Sequence, residues 1–366
     1  MESRLSGRGC PARVVVVVLA TALMAAGCGA LTGVLGTADR PNVVLILTDD
    51  QDVGSIEYMP NVERLMADEG TSFNNAFVTD ALCCPSRATI LRGEYAHNHG
   101  VVSNASPRGG HKRFAGLGHE RSTIATWLQD AGYDTALIGK YLNNYTDDGV
   151  PPGWDEWRAI SGSHLSDDLN ENGRIVTYDP DRHHLDDVLA EKATDYVDRA
   201  AGGSSFFMWL GTKAPHLPAT PAPRHRDDFA GVSLPRGPSF DEEDVSDKPA
   251  WVRDNPPLRE KEVSQLEEFH RERLRSLQAV DEMVVRIVRS LRESGELDNT
   301  YIFFTSDNGF HAGQHRLGTG KWTAYEEDIR VPLIVRGPGV PKGATREHLV
   351  LNNDLAPTLT DIAGSQ

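Results

Sequence analysis

Cysteine is scarce in this chain of 366 residues, and the four cysteines present do not form a disulfide framework. Cys10 and Cys28 lie near the start of the chain, and Cys83 and Cys84 are adjacent. Neighbouring cysteines rarely meet the geometry that an S–S bond needs, and no further ligands follow them at the spacing of a zinc site. The pair in "DALCCPSRATILRG" therefore has a role other than cross-linking.

Basic residues are also in deficit, with 37 Lys and Arg against 53 Asp and Glu. The resulting net charge of −16 argues against a nucleic acid partner, because phosphate backbones are bound through basic patches. It leaves room for an anionic substrate in one locally positive cleft. The sequence also has no GxxxxGK[ST] loop and no GxGxxG after a predicted strand, so nucleotide binding has no support.

The first segment has the order of a bacterial export signal. Three arginines precede the apolar run "VVVVVLATALMAAG", which is too short to serve as a mature membrane span. The ending "LMAAGC" resembles the lipobox of bacterial lipoproteins, in which the cysteine becomes the lipidated first residue; a plain cleavable signal with an incidental Cys28 is the alternative. We expect a signal peptide over 1–27, a short tether over 28–40 and one folded domain over 41–366. The lipid would anchor the protein to the outer face of a bacterial membrane.

Apolar runs alternate with helical patterns from residue 41 onward. The run "NVVLILT" (Asn42–Thr48) is continuously apolar, which is typical of a strand buried on both faces. The other predicted strands are 71–78, 134–140, 205–212, 300–309 and 331–337. The predicted helices are 59–70, 86–92, 122–133, 186–201, 266–291 and 353–364.

This alternation predicts an α/β fold with a mostly parallel sheet and helices on both faces. The segment from Pro215 to Pro257 is rich in Pro, Asp and Arg, and it is predicted to be a long surface excursion. In open parallel sheets the ligand binds at the carboxyl ends of the strands. We therefore expect the active site at that edge.

Polar residues follow two of the buried strands. Asp49 and Asp50 end the first strand, and Asp307 and Asn308 end another. Each pair alone is typical of a turn cap. Two pairs in one sheet offer hard oxygen ligands suited to Ca²⁺ or Mg²⁺, with no soft ligand to favour zinc.

Several motifs together resemble the type I sulfatases of the alkaline phosphatase superfamily. "CCPSR" (Cys83–Arg87) matches the Cys-x-Pro-Ser-Arg signature of that family, and "GYDTALIGKYL" matches the second signature. "LTDDQD", "APHLP", "TSDNGFHAGQH" and "GKWTAYEEDIRVPL" fit further blocks of the family in the expected order along the chain. The closest similarity is to the branch that contains N-acetylglucosamine-6-sulfatase and the extracellular heparan sulfatases. The family usually continues into a small C-terminal domain, which we expect to be missing or truncated in this chain.

The resemblance implies that Cys83 is oxidised to Cα-formylglycine by a formylglycine-generating enzyme. One hydroxyl of the hydrated aldehyde would attack sulfur, and the other would let the covalent intermediate collapse and expel sulfate. Cys84 would be a passive small residue. The implied substrate is a sulfate ester, with a 6-O-sulfated N-acetylglucosamine unit of a glycan as the expectation and choline sulfate or an aryl sulfate as open alternatives.

The resemblance also assigns the remaining site residues. The implied ligands of one Ca²⁺ are Asp49, Asp50, residue 83, Asp307 and Asn308. The implied catalytic residues besides Cys83 are Arg87, which fixes the formylglycine hydroxyls, Lys140 and Lys321, which contact sulfate oxygens, and His216, a candidate acid at the leaving group.

One position departs from the family pattern. Many sulfatases have a histidine two residues after the first lysine, and this chain has Leu142 there. The base for sulfate release is therefore open, with four histidines as candidates: His97, His99, His311 and His315. Two further alternatives remain: a phosphonate monoester or phosphodiester hydrolase of the same superfamily, and a surface lipoprotein that binds sulfated glycans without turnover.

Overall fold

The structure is a computed structural model, and it describes residues 40–147, 149–162 and 166–365. The predicted signal peptide, Cys28 and almost all of the predicted tether lie outside the described residues. Over the part of the chain that is described, no helix is both long and apolar enough to cross a membrane.

Ten strands form one central sheet, and two short strands form a separate hairpin. The order across the sheet is β12-β2-β11-β8-β1-β7-β3-β4-β5-β6. The strands are β1 (Asn42–Thr48), β2 (Thr71–Phe77), β3 (Asp134–Gly139), β4 (Glu156–Ser161), β5 (Asp168–Glu171), β6 (Arg174–Thr177), β7 (Phe206–Gly211), β8 (Thr300–Ser306), β9 (His311–Ala312), β10 (Thr319–Gly320), β11 (Leu333–Arg336) and β12 (Ala344–Leu351).

Within the described residues, ten α-helices or single helical turns accompany the strands. They are α1 (Pro60–Val62), α2 (Cys83–Arg92), α3 (Ala96–His99), α4 (Gly110–Gly116), α5 (Ile124–Asp130), α6 (Leu185–Ala200), α7 (Ala250–Arg253), α8 (Glu260–Glu293), α9 (Glu326–Ile329) and α10 (Leu355–Ile362). The turn α1 continues as one π-helical turn over Glu63–Ala67.

The central strands β8, β1, β7, β3 and β4 run parallel, whereas β11 is antiparallel to β8 and the edge strands β5 and β6 are antiparallel. All seven residues of β1 are buried, because helices cover both faces of the sheet at this strand. Val43 and Leu45 belong to the core on the side of α2, α5 and α10. Val44 and Ile46 belong to the core on the side of α6 and α8. The predicted fold class is confirmed.

Two helices begin three or more residues before the start that the sequence predicts. The helix of the cysteine motif begins at Cys83 rather than at Ser86. Pro85 is accommodated in its first turn, where the missing N–H would have no helical partner. Helix α8 begins at Glu260 rather than at Leu266, because its first turns are polar and are stabilised locally. The Glu262 side chain accepts a hydrogen bond from the Arg259 N–H at 2.8 Å.

Four strands of the sheet have no counterpart in the prediction: β4, β5, β6 and β12. The segment from Pro215 to Pro257 carries only one 3-10 turn (Pro223–His225) and α7, and many of its residues are exposed. It is the surface excursion that its composition predicts.

Candidate active site

Four neighbouring parallel strands end at one edge of the sheet, and the polar residues of the site follow them. Asp49 and Asp50 follow β1, and Asp307 and Asn308 follow β8. Lys140 follows β3 directly, and His216 lies in the loop after β7. The parallel arrangement therefore brings together residues that are far apart in sequence, such as Asp50 and Asn308, which are 258 positions apart.

Cys83 is the first residue of α2 and is fully buried beneath this edge. Its Sγ lies 3.4 Å from Asp49 Oδ1 and 3.6 Å from Asp50 Oδ1, and Lys321 Nζ approaches it to 2.6 Å. Burial raises the pKa of the Cys83 thiol well above its ordinary value, although Lys140 and Lys321 act in the opposite direction. As a thiol, residue 83 is therefore protonated and a poor nucleophile in this environment.

Each of the two acids after β1 is paired with a lysine. Lys140 Nζ lies 2.5 Å from Asp49 Oδ2, and Lys321 Nζ contacts Asp50 Oδ1. Burial alone would raise the pKa of both carboxyls, but the charges of the paired lysines and of His216 outweigh it and lower the pKa of each. Both acids are therefore carboxylates, ready to bind a cation.

The side chain of Arg87 links Asp307, which follows β8, to the backbone of Lys140, which follows β3. Its Nε donates to Asp307 Oδ2 at 2.7 Å, and its Nη1 donates to the Lys140 carbonyl at 2.8 Å. The whole side chain is buried, yet Nη2 has no hydrogen-bond partner in the structure. A buried guanidinium with a free N–H group is placed to bind an anion or a hydroxyl.

The donor set fits a hard divalent cation. Ligand atoms of four residues lie within 4.8 Å of one another, namely Asp49, Asp50, Cys83 and His216. Asp307 adjoins this group, since its Oδ1 accepts the Asp50 N–H at 3.0 Å. Asn308 Nδ2 donates to Asp50 Oδ1 at 2.8 Å. The other amide atom, Asn308 Oδ1, is buried and has no hydrogen-bond partner in the structure. Carboxylate and amide oxygens in this number are the ligands that Ca²⁺ takes.

His216 stands at the open side of the site. Its Nε2 lies 3.8 Å from Asp50 Oδ2, and its Nδ1 lies 2.7 Å from the Leu217 carbonyl. A cavity of about 50 Å³ beside it is also lined by Asp49, Lys140 and Leu142. The structure thus brings all nine predicted site residues into one constellation, and Leu142 places no titratable group there.

The four candidate bases have partners of their own. His97 stacks on Tyr95, and His99 Nε2 lies 3.1 Å from Thr89 Oγ1. His315 Nδ1 lies 2.7 Å from Glu242 Oε2. His311 Nδ1 lies 2.8 Å from Asp328 Oδ1. These contacts orient the four rings, and the choice of the base among them stays a prediction.

Asp328 positions the loop that carries Lys321, and the sequence did not single it out. Its buried carboxylate accepts hydrogen bonds from the Thr323 N–H at 2.9 Å and from Thr323 Oγ1 at 2.6 Å, besides the contact with His311. The loop is thereby fixed two residues after Lys321. Trp322, between them, adopts a left-handed backbone with φ of 74°, a conformation that bulky residues rarely take.

Arg273 on α8 is a second residue that the sequence reasoning missed. Its guanidinium donates to the Asp50 carbonyl at 2.6 Å, to Asp52 Oδ2 at 3.1 Å and to the Pro215 carbonyl at 3.4 Å. It also lies 4.4 Å from the centre of the Phe310 ring. One buried side chain therefore ties together the loops after β1, β7 and β8.

This architecture places the protein among the α/β proteins of alkaline phosphatase-like fold. Within that class the chain belongs to the sulfatase family, since the family model described as Sulfatase matches residues 41–365. The predicted family is confirmed.

Named relatives agree with this membership. The chain is 40% identical to the N-acetylglucosamine-6-sulfatase of Homo sapiens over 93% of its own length and 64% of the relative. It is 38% identical to an arylsulfatase of Volvox carteri over 95% of its length and 59% of the relative. The chain therefore spans less than two thirds of each of these two proteins.

Solved structures share the fold. One described as BT4656 in complex with its substrate D-glucosamine-2-N,6-O-disulfate is 30% identical, with a TM-score of 0.74 over 90% of this chain and 77% of that one. A phosphonate monoester hydrolase from Silicibacter pomeroyi is 22% identical, with a TM-score of 0.65 over 89% of this chain and 74% of that one. The second likeness concerns the fold alone.

Proposed function

We propose that this protein hydrolyses sulfate monoesters with residue 83, as formylglycine, as the nucleophile. The observation that carries the proposal is the setting of Cys83, which is buried at the start of α2 between Asp49, Asp50 and Lys321. A thiol held protonated by its surroundings is of little use there. A geminal diol at the same position would face the same acids and lysine, and it supplies both a nucleophile and a route to release sulfate.

The oxidation of Cys83 would be carried out by a separate formylglycine-generating enzyme. Peptide mass spectrometry over Ala81–Arg87, on protein from the native host, tests this directly. A mass that corresponds to formylglycine at residue 83 supports the proposal. Unmodified Cys83 alone would favour the alternative of a surface protein that binds sulfated glycans without turnover.

We propose Ca²⁺ as the cation, held by Asp49, Asp50, Asp307, Asn308 and residue 83. The buried, unpartnered oxygen of Asn308 and the two ionised acids after β1 support this set. When bound, the ion would polarise a sulfate oxygen and favour the ionised diol. The protein itself contributes the frame, because Arg87 and Lys140 hold Asp307 and Asp49 in place.

The cationic side chains would stabilise the charge that develops on the sulfate oxygens. Lys140 is paired with Asp49, and Lys321 is paired with Asp50. Arg87 offers a buried N–H group that has no partner in the structure. His216, at the open side of the site, would protonate the leaving alcohol.

Two substrates with different leaving groups distinguish an acid role of His216 from a role in sulfate binding alone. A sugar alkoxide is a poor leaving group, whereas nitrophenolate needs little protonation. His216→Ala should therefore slow hydrolysis of a sugar sulfate far more than hydrolysis of nitrophenyl sulfate. An equal loss of about 100-fold on both esters would contradict the acid role.

The proposed substrate is a 6-O-sulfated N-acetylglucosamine unit of a glycosaminoglycan or a related glycan. Support comes from the named relatives and from the glucosamine disulfate bound to the structural neighbour. Aryl sulfates and choline sulfate are the competing esters. Rates of sulfate release from N-acetylglucosamine-6-sulfate, nitrophenyl sulfate and choline sulfate decide between them, and a preference for choline sulfate would reject the glycan.

A phosphonate monoester or phosphodiester hydrolase is the second candidate, because a phosphonate monoester hydrolase shares the fold. Matched nitrophenyl esters discriminate the two candidates. Faster turnover of the phosphonate or diester than of the sulfate would overturn the sulfatase proposal.

We also propose that the mature protein is a lipoprotein on the outer face of a bacterial membrane, on the strength of the "LMAAGC" segment alone. Acyl labelling and globomycin sensitivity should be found in the wild type and lost in Cys28→Ala. A soluble, unlabelled wild-type protein would contradict it.

A further inference from the structure

The base for sulfate release needs a ring nitrogen that is available to take a proton. His99 does not meet this requirement, because its Nε2 lies 3.1 Å from Thr89 Oγ1 and its Nδ1 accepts the Val101 N–H at 3.2 Å. Burial also lowers the pKa of His99 to about 4, which makes the ring a weak base. Both nitrogens of His99 are therefore engaged in the core.

His315 and His97 also differ from an oriented base. His315 Nδ1 lies 2.7 Å from Glu242 Oε2, and its Nε2 lies 3.7 Å from Glu327 Oε2, so each nitrogen faces a carboxylate. His97 is exposed on α3 and stacks on Tyr95, which precedes that helix. This contact ties the ring of His97 to α3 rather than to the residues of the site.

His311 has the arrangement of an oriented base. Its Nδ1 lies 2.8 Å from Asp328 Oδ1 and 3.0 Å from Asp328 Oδ2, and Asp328 is fully buried. A buried carboxylate at one ring nitrogen fixes the ring and holds the proton on that nitrogen. The other nitrogen, Nε2, is then a hydrogen-bond acceptor. It makes no hydrogen bond or ion pair with any described residue.

The Nε2 atom of His311 lies beside the residue that precedes Lys321. Strand β9 begins with His311 and pairs with β10, and the register places His311 opposite Gly320. A Cβ on residue 320 would lie 2.9 Å from His311 Nε2, so a side chain at this position would cover the nitrogen. The next residue, Lys321, approaches Cys83 Sγ to 2.6 Å with its Nζ. His311 therefore adjoins the loop whose lysine contacts the position of the nucleophile.

We propose that His311 is the general base for sulfate release and that Asp328 is the residue that positions it. The inference rests on the proposed formylglycine mechanism, and it assigns the step for which Leu142 offers no titratable group. In this step the side-chain carbon of residue 83 carries one hydroxyl and one sulfate ester.

The proton and the electron pairs of the step are accounted for as follows. His311 Nε2 takes the proton of the hydroxyl, either directly or through one water molecule. The electron pair of the O–H bond forms the C=O bond of the aldehyde. The C–O bond to the sulfate breaks, and its electron pair leaves with the sulfate ion. The imidazolium then returns its proton to solvent.

His311→Asn tests the role of the ring. The asparagine amide can keep a hydrogen bond to Asp328, but no basic group remains at the position of Nε2. The first step should survive with nitrophenyl sulfate, because nitrophenolate needs little protonation. We expect a burst of one nitrophenol per converted active site, followed by a steady rate about 100-fold or more below that of the wild type, which is the scale of one acid–base group.

Two readouts besides the rate accompany this assay. The mass of the quenched His311→Asn protein should show sulfate bound to residue 83, whereas the wild type should show little. Urea unfolding should show that the variant is folded. If the asparagine variant does not fold, the same assay applies to His311→Gln, which fills more of the volume of the ring and is equally unable to act as a base.

His315→Asn is the matched comparison, since it removes a histidine four residues later whose ring faces Glu242. It should not accumulate sulfated protein. A burst and a steady rate that fall by the same factor in folded His311→Asn would overturn the base role. Accumulation in His216→Ala but not in His311→Asn would also overturn it. Absence of any turnover by the converted wild type would instead overturn the sulfatase proposal together with the base, so the two failures are distinguishable.

Discussion

Replacing Arg273 with methionine tests how helix α8 holds the active-site loops. Methionine keeps most of the apolar stem and removes the guanidinium, so that the buried carbonyl of Asp50 loses its donor. Leaving a buried acceptor of this kind without its donor costs about 1 to 3 kcal/mol. We expect the free energy of unfolding in urea to fall by that amount.

The same change should lower activity. The Asp50 and Pro215 carbonyls anchor the cation loop and the loop of His216, and a small displacement of catalytic groups costs about 100-fold in rate. We expect kcat for nitrophenyl sulfate to fall by about this factor in Arg273→Met. Arg273→Lys, which restores one donor, should recover part of it.

Arg275 provides the control on the same helix. Its guanidinium donates to the Asp228 carbonyl and to Glu268, rather than to the Asp50 and Pro215 carbonyls that Arg273 holds. Arg275→Met should leave kcat unchanged. Unaltered kcat and stability in Arg273→Met, or a loss no larger than in Arg275→Met, would refute the positioning role.

Three further outcomes follow from the structure. Burial lowers the pKa of His99 from 6.5 to about 4, so the folded state favours the neutral ring and loses up to about 3 kcal/mol of stability as the pH falls from 6.5 to 4. Urea unfolding at pH 7 and pH 4.5 measures this loss, and the free energy of unfolding should fall less between the two pH values in His99→Gln than in the wild type. His97 stacks on Tyr95, and His97→Gln should show the same fall as the wild type. Thermal unfolding with Ca²⁺ at 100 times its Kd, compared with unfolding in a chelator, should show the wild type stabilised by about 2.7 kcal/mol. Asn308→Leu should lose most of this stabilisation. An equal stabilisation of the variant would exclude Asn308 as a ligand. Gly139→Ala should destabilise the protein by about 3 kcal/mol or more, because φ is 94° and a Cβ would lie 1.9 Å from the Gly211 carbonyl oxygen; wild-type stability would contradict the tight contact between β3 and β7.

The acids of the site were predictable because of where they fall in the sequence. A continuous apolar run marks β1 as a central strand, and parallel strands of one sheet end together, so Asp49 and Asp307 were expected at one edge. The positions of Cys83, Lys140, Lys321 and His216 came from motif resemblance, since single lysines and histidines carry no periodic signal.

Arg273 could have been found from the helical pattern. It lies seven residues after Leu266 and four before Leu277, so it occupies the apolar stripe of α8, where an arginine needs a buried partner.

The missed strands have a similar cause. β12 contains charged and exposed residues and forms the edge of the sheet, where it pairs only with β2. β6 is mostly exposed and pairs only with β5. Such strands depend on the neighbour that receives them rather than on an apolar pattern of their own.

Release of inorganic sulfate from N-acetylglucosamine-6-sulfate, in the presence of Ca²⁺, tests the central claim most directly. The protein should be produced together with a formylglycine-generating enzyme, and the conversion of residue 83 confirmed by mass. We predict steady release of sulfate by the converted protein and none by Cys83→Ala. Absence of sulfate release by the fully converted protein from this ester and from nitrophenyl sulfate, or equal release by Cys83→Ala, would contradict the account.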